Sequence, residues 1–298
     1  MAKGLRKIGL EVCGLNYSLC SISFRHELVS FNDLVHFACE KGFAGIELWG
    51  IHARALSCNP KHEVSRLLDK MEARGVRISM VSDYIDLFAE DDQTSAVLER
   101  GNSLFSLAQT FRTNKLRIFA GNQSSDVASP RVWERCVTRL QELAQLASEN
   151  GVYLVLETHP NTLADTLSST LRLLNEAAHS HIRVNLDFLH IWELGSDPLY
   201  AYRALKGWTI NYHLKNISGR DKLGVFAPDN VYSPSGDRNG LTALSEGVID
   251  YTPIIEQLDR DNSTYTAAIE WFGDQPFRYL EKELAWLIKH ELQRDVSI

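Results

Sequence analysis

Short apolar runs rich in β-branched residues recur along this chain at about the interval of one strand plus one helix. They cover 17–23, 45–49, 77–84, 116–121, 153–159, 182–188, 210–216 and 266–272, which predicts eight strands. Helical periodicity fills the intervals over 31–40, 61–74, 95–112, 131–149, 166–178 and 251–258. In the first of these, Leu34, Phe37 and Ala38 share one face. Gly42, Gly75 and Gly151 each stand between a helix and the next strand, where a left-handed C-cap belongs.

Strands that are apolar throughout, without alternation, suit a parallel sheet covered on both faces. Eight β-plus-α units therefore predict an α/β fold, a single (β/α)8 TIM barrel. A doubly wound sheet is disfavoured because no GxGxxG follows the first strand. No low-complexity linker divides the chain, so 1–16 reads as an N-terminal extension and 17–298 as one catalytic barrel domain. The spacing is uneven in one place. After strand seven, residues 217–247 are dominated by Gly, Pro, Asp, Asn and Ser, and at the mouth of a barrel such a loop is expected to act as a lid.

Composition narrows the function classes. The 298 residues suffice for a full barrel, 44% hydrophobic content supports a large core, and a net charge of −7 argues against a nucleic-acid or anionic-membrane surface. The five cysteines (Cys13, Cys20, Cys39, Cys58, Cys136) are scattered without CxxC spacing and read as free thiols of a reducing compartment. The N-terminus has basic residues but no unbroken apolar segment, and no stretch approaches a membrane span. The expectation is a cytoplasmic enzyme with a small-molecule substrate and neither nucleic-acid nor membrane partners; assembly into a homo-oligomer stays open.

The chemistry gathers on the last four strands. Glu157, Asp187, His213 and Glu270 lie at or near the ends of strands five to eight, where a barrel of this type places its catalytic groups. Each has an ordinary explanation alone, as a solvated carboxylate or a helix cap. Together, three carboxylates and an imidazole make a ligand set for a divalent cation, Mn²⁺ or Mg²⁺ before a structural Zn²⁺. His159 stands two residues from Glu157, and Lys215 two from His213, so each shares a strand face with a ligand. His159 is a candidate general base, or else a group that orients a ligand. Lys215 is a candidate for holding a developing oxyanion or a substrate carboxylate, and His190 is a further catalytic candidate. Arg117, inside strand four, must either pair with an acidic barrel residue such as Glu47 or face the pocket and bind an anion. Tyr84 and His52 are candidate substrate contacts, whereas Trp49, Phe88, Trp192 and Trp271 read as wall or core. No GxSxG or P-loop motif is present.

The ordered set CSISFRHELVSFNDLV, GFAGIELWGIHA, LETHPNTLADT, NLDFLHIWE, HLKNIS and IEWFG resembles the xylose-isomerase-like sugar isomerase/epimerase barrels. More closely, it resembles their metal-dependent 3-dehydroshikimate dehydratases of the petrobactin-siderophore type. The resemblance runs from about residue 17 to about 290 and leaves out the first residues. It implies metal ligands at Glu157, Asp187, His213 and Glu270, a catalytic histidine at His159, and pocket groups at Tyr84, Arg117, His190 and Lys215. It also implies Mn²⁺, with Mg²⁺ or Co²⁺ as alternatives, and conversion of 3-dehydroshikimate to 3,4-dihydroxybenzoate for a siderophore or for aromatic catabolism. Rival readings are a sugar or keto-sugar isomerase or epimerase, an endonuclease-IV-like DNA-repair barrel, and an inactive binding barrel. The ETHPN and HLKN motifs favour the dehydratase over the isomerase, and four ligands on an acidic chain disfavour the nuclease.

Overall fold

The computed structural model describes residues 15–261 and 263–292; Cys13 and all of the predicted extension but residues 15 and 16 lie outside them, and Asn16 already opens the first strand. Eight parallel strands close into a barrel in chain order: β1 (Asn16–Cys20), β2 (Gly45–Trp49), β3 (Arg77–Ser82), β4 (Lys115–Ile118), β5 (Tyr153–Glu157), β6 (Ile182–Asp187), β7 (Thr209–Leu214) and β8 (Thr266–Ile269). Closure is made by β1 and β8, with Tyr17 opposite Ala267 and Leu19 opposite Ile269.

All eight strands occur where the hydrophobic pattern puts them, but most stop short of the apolar runs. The run 17–23 is strand only to Cys20, and Ser21–Phe24 form a buried 3₁₀ turn. Side-chain hydroxyls take over from the ladder there: Ser21 Oγ accepts the Trp49 N–H at 2.8 Å and Ser23 Oγ accepts the Trp271 N–H at 3.0 Å. The predicted ends at Tyr84, Gly121, His159, Asn216 and Phe272 likewise belong to mouth loops. His159, Lys215 and Glu270 therefore lie just past their strands, not within them.

Polar caps start three of the six expected helices, at Ser30, Ser129 and Thr166. Ser30 and Asp33 form a reciprocal capping box before Phe31–Lys41, and Ser129 caps Pro130–Glu149, which opens on proline. Gly42, at φ 92°, ends the first helix in the left-handed conformation. Helices Gly50–Ser57, Phe188–Glu193, Pro198–Leu205 and Pro276–Leu292 were not anticipated by periodicity. The first three are short, spanning too few turns to show a helical repeat against a strand background.

The main core lies between the barrel and its helices, while inside the barrel Met80, Val155 and Ile210 form a small apolar plug. Toward the C-terminal strand ends the interior turns polar, with Asn211 Nδ2 donating to Asn185 Oδ1 at 2.8 Å. The long segment after β7 is ordered locally. Asn216–Ile217 pairs antiparallel with Leu241–Thr242, enclosing a 3₁₀ stretch (Arg220–Phe226) and a short helix (Pro228–Val231).

Candidate active site

A cavity of about 370 Å³ opens at the C-terminal ends of the strands. Its base is polar, with Arg117, Glu157, His159, His190, Lys215 and Glu270, and its walls are mostly apolar, with Ile22, Phe119, Phe226, Val231 and Phe272. Asp187 and His213, both 0% exposed, lie beneath this base.

The four predicted ligands converge. Glu157, Asp187 and His213 each offer a donor atom, all within 4.8 Å of one another. Glu270 Oε2 lies 3.9 Å from His213 Nδ1. Asp187 serves two purposes at once. Its Oδ1 caps Phe188–Glu193 by accepting the Leu189 and His190 N–H groups at 3.0 and 3.1 Å. That fixes the carboxylate and turns Oδ2 toward His213 Nδ1, 3.8 Å away.

The donor set fits a divalent cation on three counts. Its oxygens and single imidazole nitrogen suit such an ion. Glu157 Oε2 and Asp187 Oδ2 are buried without a well-formed hydrogen bond. Cationic nitrogens lie beside them, Arg117 Nε at 2.9 Å from Glu157 Oε2 and Lys215 Nζ at 2.7 Å from Asp187 Oδ2, but off the hydrogen-bonding direction. Lastly, among the described residues the group of buried carboxylates Glu47, Glu157, Asp187 and Glu270 forms ion pairs with two permanent cations, Arg117 and Lys215. With His213 neutral, two negative charges remain for a divalent ion to balance.

These neighbours set the ionisation of the site. Burial works against charge at each group, but Arg117 and His213 hold the Glu157 carboxyl well below the usual carboxylate range. His190 and Lys215 lower that of Asp187 against the same burial. Asp187 and Glu270 outweigh burial at Lys215 and keep it an ammonium. Without a metal, Glu47, Glu157 and Glu270 overcome burial at His213 and push its imidazolium well above the normal range.

His159 lines the cavity beside Phe119 and His190, its ring centroid 4.2 and 4.5 Å from theirs. Its Nδ1 lies 2.7 Å from the Pro160 carbonyl oxygen, which accepts that N–H and leaves the Nε2 lone pair free. Burial, reinforced by His190, depresses its pKa to about 3, so the ring is neutral. His190 in turn holds Glu193 through Nδ1 at 2.8 Å. Arg117 pairs with Glu157 and not with Glu47, whose carboxylate is taken up by His213. Its guanidinium lies over the Phe119 ring at 4.8 Å, and its buried Nη1 donates to no group. Tyr84 reaches the cavity rim, where its hydroxyl meets that of Tyr232 at 3.2 Å. His52 does not reach the cavity. It sits behind Trp49, ring centroids 5.2 Å apart, with Nδ1 3.1 Å from Ser21 Oγ.

The segment after β7 was expected at the barrel mouth as a lid, but sequence reasoning missed the residues of the cavity's apolar wall, including those this segment supplies, Phe226, Pro228, Val231 and Tyr232. The Gly- and Pro-rich composition signalled a loop, but nothing local marks which of its residues turn inward.

The barrel and its acidic, histidine-bearing mouth define a class, and the comparisons agree: the chain matches the xylose isomerase-like TIM barrel family over residues 35–290 and belongs to it. Within that family it is 43% identical over 279 residues to the 3-dehydroshikimate dehydratase of Bacillus anthracis, covering 94% of this chain and 99% of that one. A crystal structure described as the probable 3-DHS dehydratase involved in petrobactin synthesis, also from Bacillus anthracis, superposes with a TM-score of 0.88. It is 44% identical and covers 92% of this chain and 99% of that one. The IOLI protein with a bound zinc atom shares the fold alone, at 13% identity and a TM-score of 0.71, over 94% of this chain and 97% of that one. Among the described residues no helix is long and apolar enough to cross a membrane.

Proposed function

We propose that this chain is a 3-dehydroshikimate dehydratase, a hydro-lyase that converts 3-dehydroshikimate to 3,4-dihydroxybenzoate and water in siderophore biosynthesis. One observation carries the reading: a neutral histidine with a free Nε2 faces the same cavity as a buried arginine with an unused N–H. The dehydratase reaction needs such a pair, a base for a carbon acid and an anchor for a carboxylate.

Glu157, Asp187, His213 and Glu270 would hold a divalent metal, Mn²⁺ in this reading. When bound, the ion supplies Lewis acidity that acidifies the carbon next to the C3 ketone. Arg117 Nη1 takes the substrate carboxylate, since Lys215 is committed to Asp187 and Glu270 at 2.7 and 2.6 Å. His159 Nε2 removes the C4 proton, its ring held by the Nδ1–H bond to Pro160 and by the faces of Phe119 and His190. The Lys215 ammonium offers positive charge to the oxygen on which negative charge develops. The C5 hydroxyl leaves with a proton as water, and loss of a C6 proton to the C3 oxygen completes the aromatic ring. Phe119, Phe226 and Phe272 suit a ring that becomes flat and apolar as it reacts, better than the polyhydroxylated chain of a keto-sugar.

The direct test is ultraviolet absorbance of the catechol product from metal-loaded protein and 3-dehydroshikimate, repeated after chelation and with His159→Ala. Absence of product from the loaded wild type refutes the reading, and activity retained in His159→Ala removes that residue as the base.

A further inference from the structure

Glu47 is the central residue of the GIELW strand, is 3% exposed, and belongs neither to the four-residue ligand set nor to the cavity lining. Its carboxylate faces His213 Nε2, with its two oxygens at 3.0 and 3.1 Å. The Ser82 hydroxyl donates to the same carboxylate, and Asn211 Nδ2 stands 3.5 Å from it. On the opposite edge of the ring, His213 Nδ1 looks toward Glu157 at 3.2 Å, Asp187 at 3.8 Å and Glu270 at 3.9 Å.

A neutral imidazole has one N–H and one lone pair, and the partner of one nitrogen decides the role of the other. An ionised carboxylate at Nε2 is a strong acceptor and keeps the proton there. The lone pair is then left on Nδ1, aimed into the carboxylate cluster. Because Glu47, Ser82 and His213 sit on β2, β3 and β7, the ring is fixed by three strands of a closed barrel, and its freedom to flip or tilt is lost.

We infer that Glu47 is a positioning residue of the metal centre: it anchors the Nε2–H of His213 so that Nδ1 ligates the divalent ion, and Ser82 holds Glu47 in that attitude. This rests on the metal part of the proposed function and not on the identity of the substrate. The same geometry admits one competitor. Cys20, Glu47 and His213 also place donor atoms within 4.8 Å of one another, on the Nε2 side of the ring. Anchoring predicts that this side carries a proton, not an ion.

The experiment is a calorimetric Mn²⁺ titration of chelator-stripped wild type, Glu47→Gln, Glu47→Asp and Ser82→Ala, with thermal melts in chelator and the kcat and KM of the loaded proteins. Glu47→Gln should weaken Mn²⁺ binding about 10- to 100-fold, the usual cost of removing a partner that orients a ligand. Glu47→Asp, which keeps the charge, should recover part of the loss, and Ser82→Ala should show a smaller one. Should Glu47→Gln not fold, Ser82→Ala carries the test. Nitrogen-15 spectra of the Zn²⁺-loaded protein should show His213 protonated at Nε2 and coordinated at Nδ1. Coordination at Nε2 overturns the inference, as does a lowered melting temperature with unchanged Mn²⁺ affinity in the folded variants. A wild type that binds no Mn²⁺ overturns the metal reading as well, whereas bound Mn²⁺ with no dehydratase activity refutes only the proposed substrate.

Discussion

Arg117 Nε stands 2.9 Å from Oε2 of Glu157, and both side chains are almost wholly buried, at 5% and 3% exposure. The pair ties the proposed substrate anchor to a proposed metal ligand across adjacent strands β4 and β5. Removing one partner of a buried ion pair leaves the other charge uncompensated, which costs about 3–5 kcal/mol. Arg117→Met should therefore lower the unfolding free energy from urea denaturation by that amount and raise KM for 3-dehydroshikimate by at least tenfold. Arg117→Lys should keep most of the stability but still raise KM, because an ammonium lacks the planar fork that grips a carboxylate. An unchanged KM in both variants would remove Arg117 as the anchor.

Metal binding should release a proton. The carboxylates around His213 hold its imidazolium well above the ordinary histidine range, and that proton must leave before the ring can ligate. The sign follows: below the raised pKa the proton competes with the ion, so apparent Mn²⁺ affinity should rise about tenfold per pH unit near neutrality. Calorimetry in buffers of different ionisation enthalpy should report about one proton released per ion. Affinity independent of pH would contradict the assignment of His213 as a ligand.

Arg25 ties the segment after β7 to the loop after β8 at the cavity wall. Its Nε donates to the Val231 carbonyl at 2.6 Å, and its Nη2 to that of Phe272 at 2.9 Å. Its guanidinium also lies over the Phe272 ring at 5.1 Å. Arg25→Ala should speed amide exchange over 226–233 while leaving the barrel strands protected, and should raise KM several-fold. If exchange in that stretch is unaltered, the segment does not depend on this latch.

Asn216 anchors the base of the same segment. Its Nδ2 donates to the Leu244 and Ile249 carbonyls at 2.9 and 2.8 Å, and its Oδ1 accepts the Ile217 and Ile249 N–H groups at 3.0 and 3.2 Å. Asn216→Ala would strand four buried backbone groups and should cost about 3 kcal/mol in chemical denaturation. Asn216→Asp keeps the acceptor but sets a buried carboxylate oxygen against both carbonyls, and should cost at least as much.

Much of this protein is written locally. The strand count and order, the caps at Ser30 and Ser129 and the stop at Gly42 follow from residues a few positions apart, because secondary structure answers to periodicity and hydrogen bonds of short range. The ligand types at Glu157, Asp187, His213 and Glu270 were legible for a similar reason: a charged or imidazole side chain at the end of an apolar run stands out against its neighbours. The neighbours Lys215 and His159 were legible by sequence distance, although both lie beyond the ends of their strands.

Only closure of the barrel could decide which side chains face each other. It pairs Arg117 with Glu157, gives Glu47 to His213, leaves His52 behind Trp49, and brings Phe226 and Tyr232 to the cavity from a segment whose composition says only that it is a loop. The chain itself determined the elements and the chemical types at their ends, since those depend on local order. Partners in a buried polar cluster depend on contacts between residues far apart in sequence, from Asn185 and Asn211, 26 apart, to Glu47 and His213, 166 apart. No local pattern encodes them; they exist once the strands are laid side by side and every buried charge must find its counterpart.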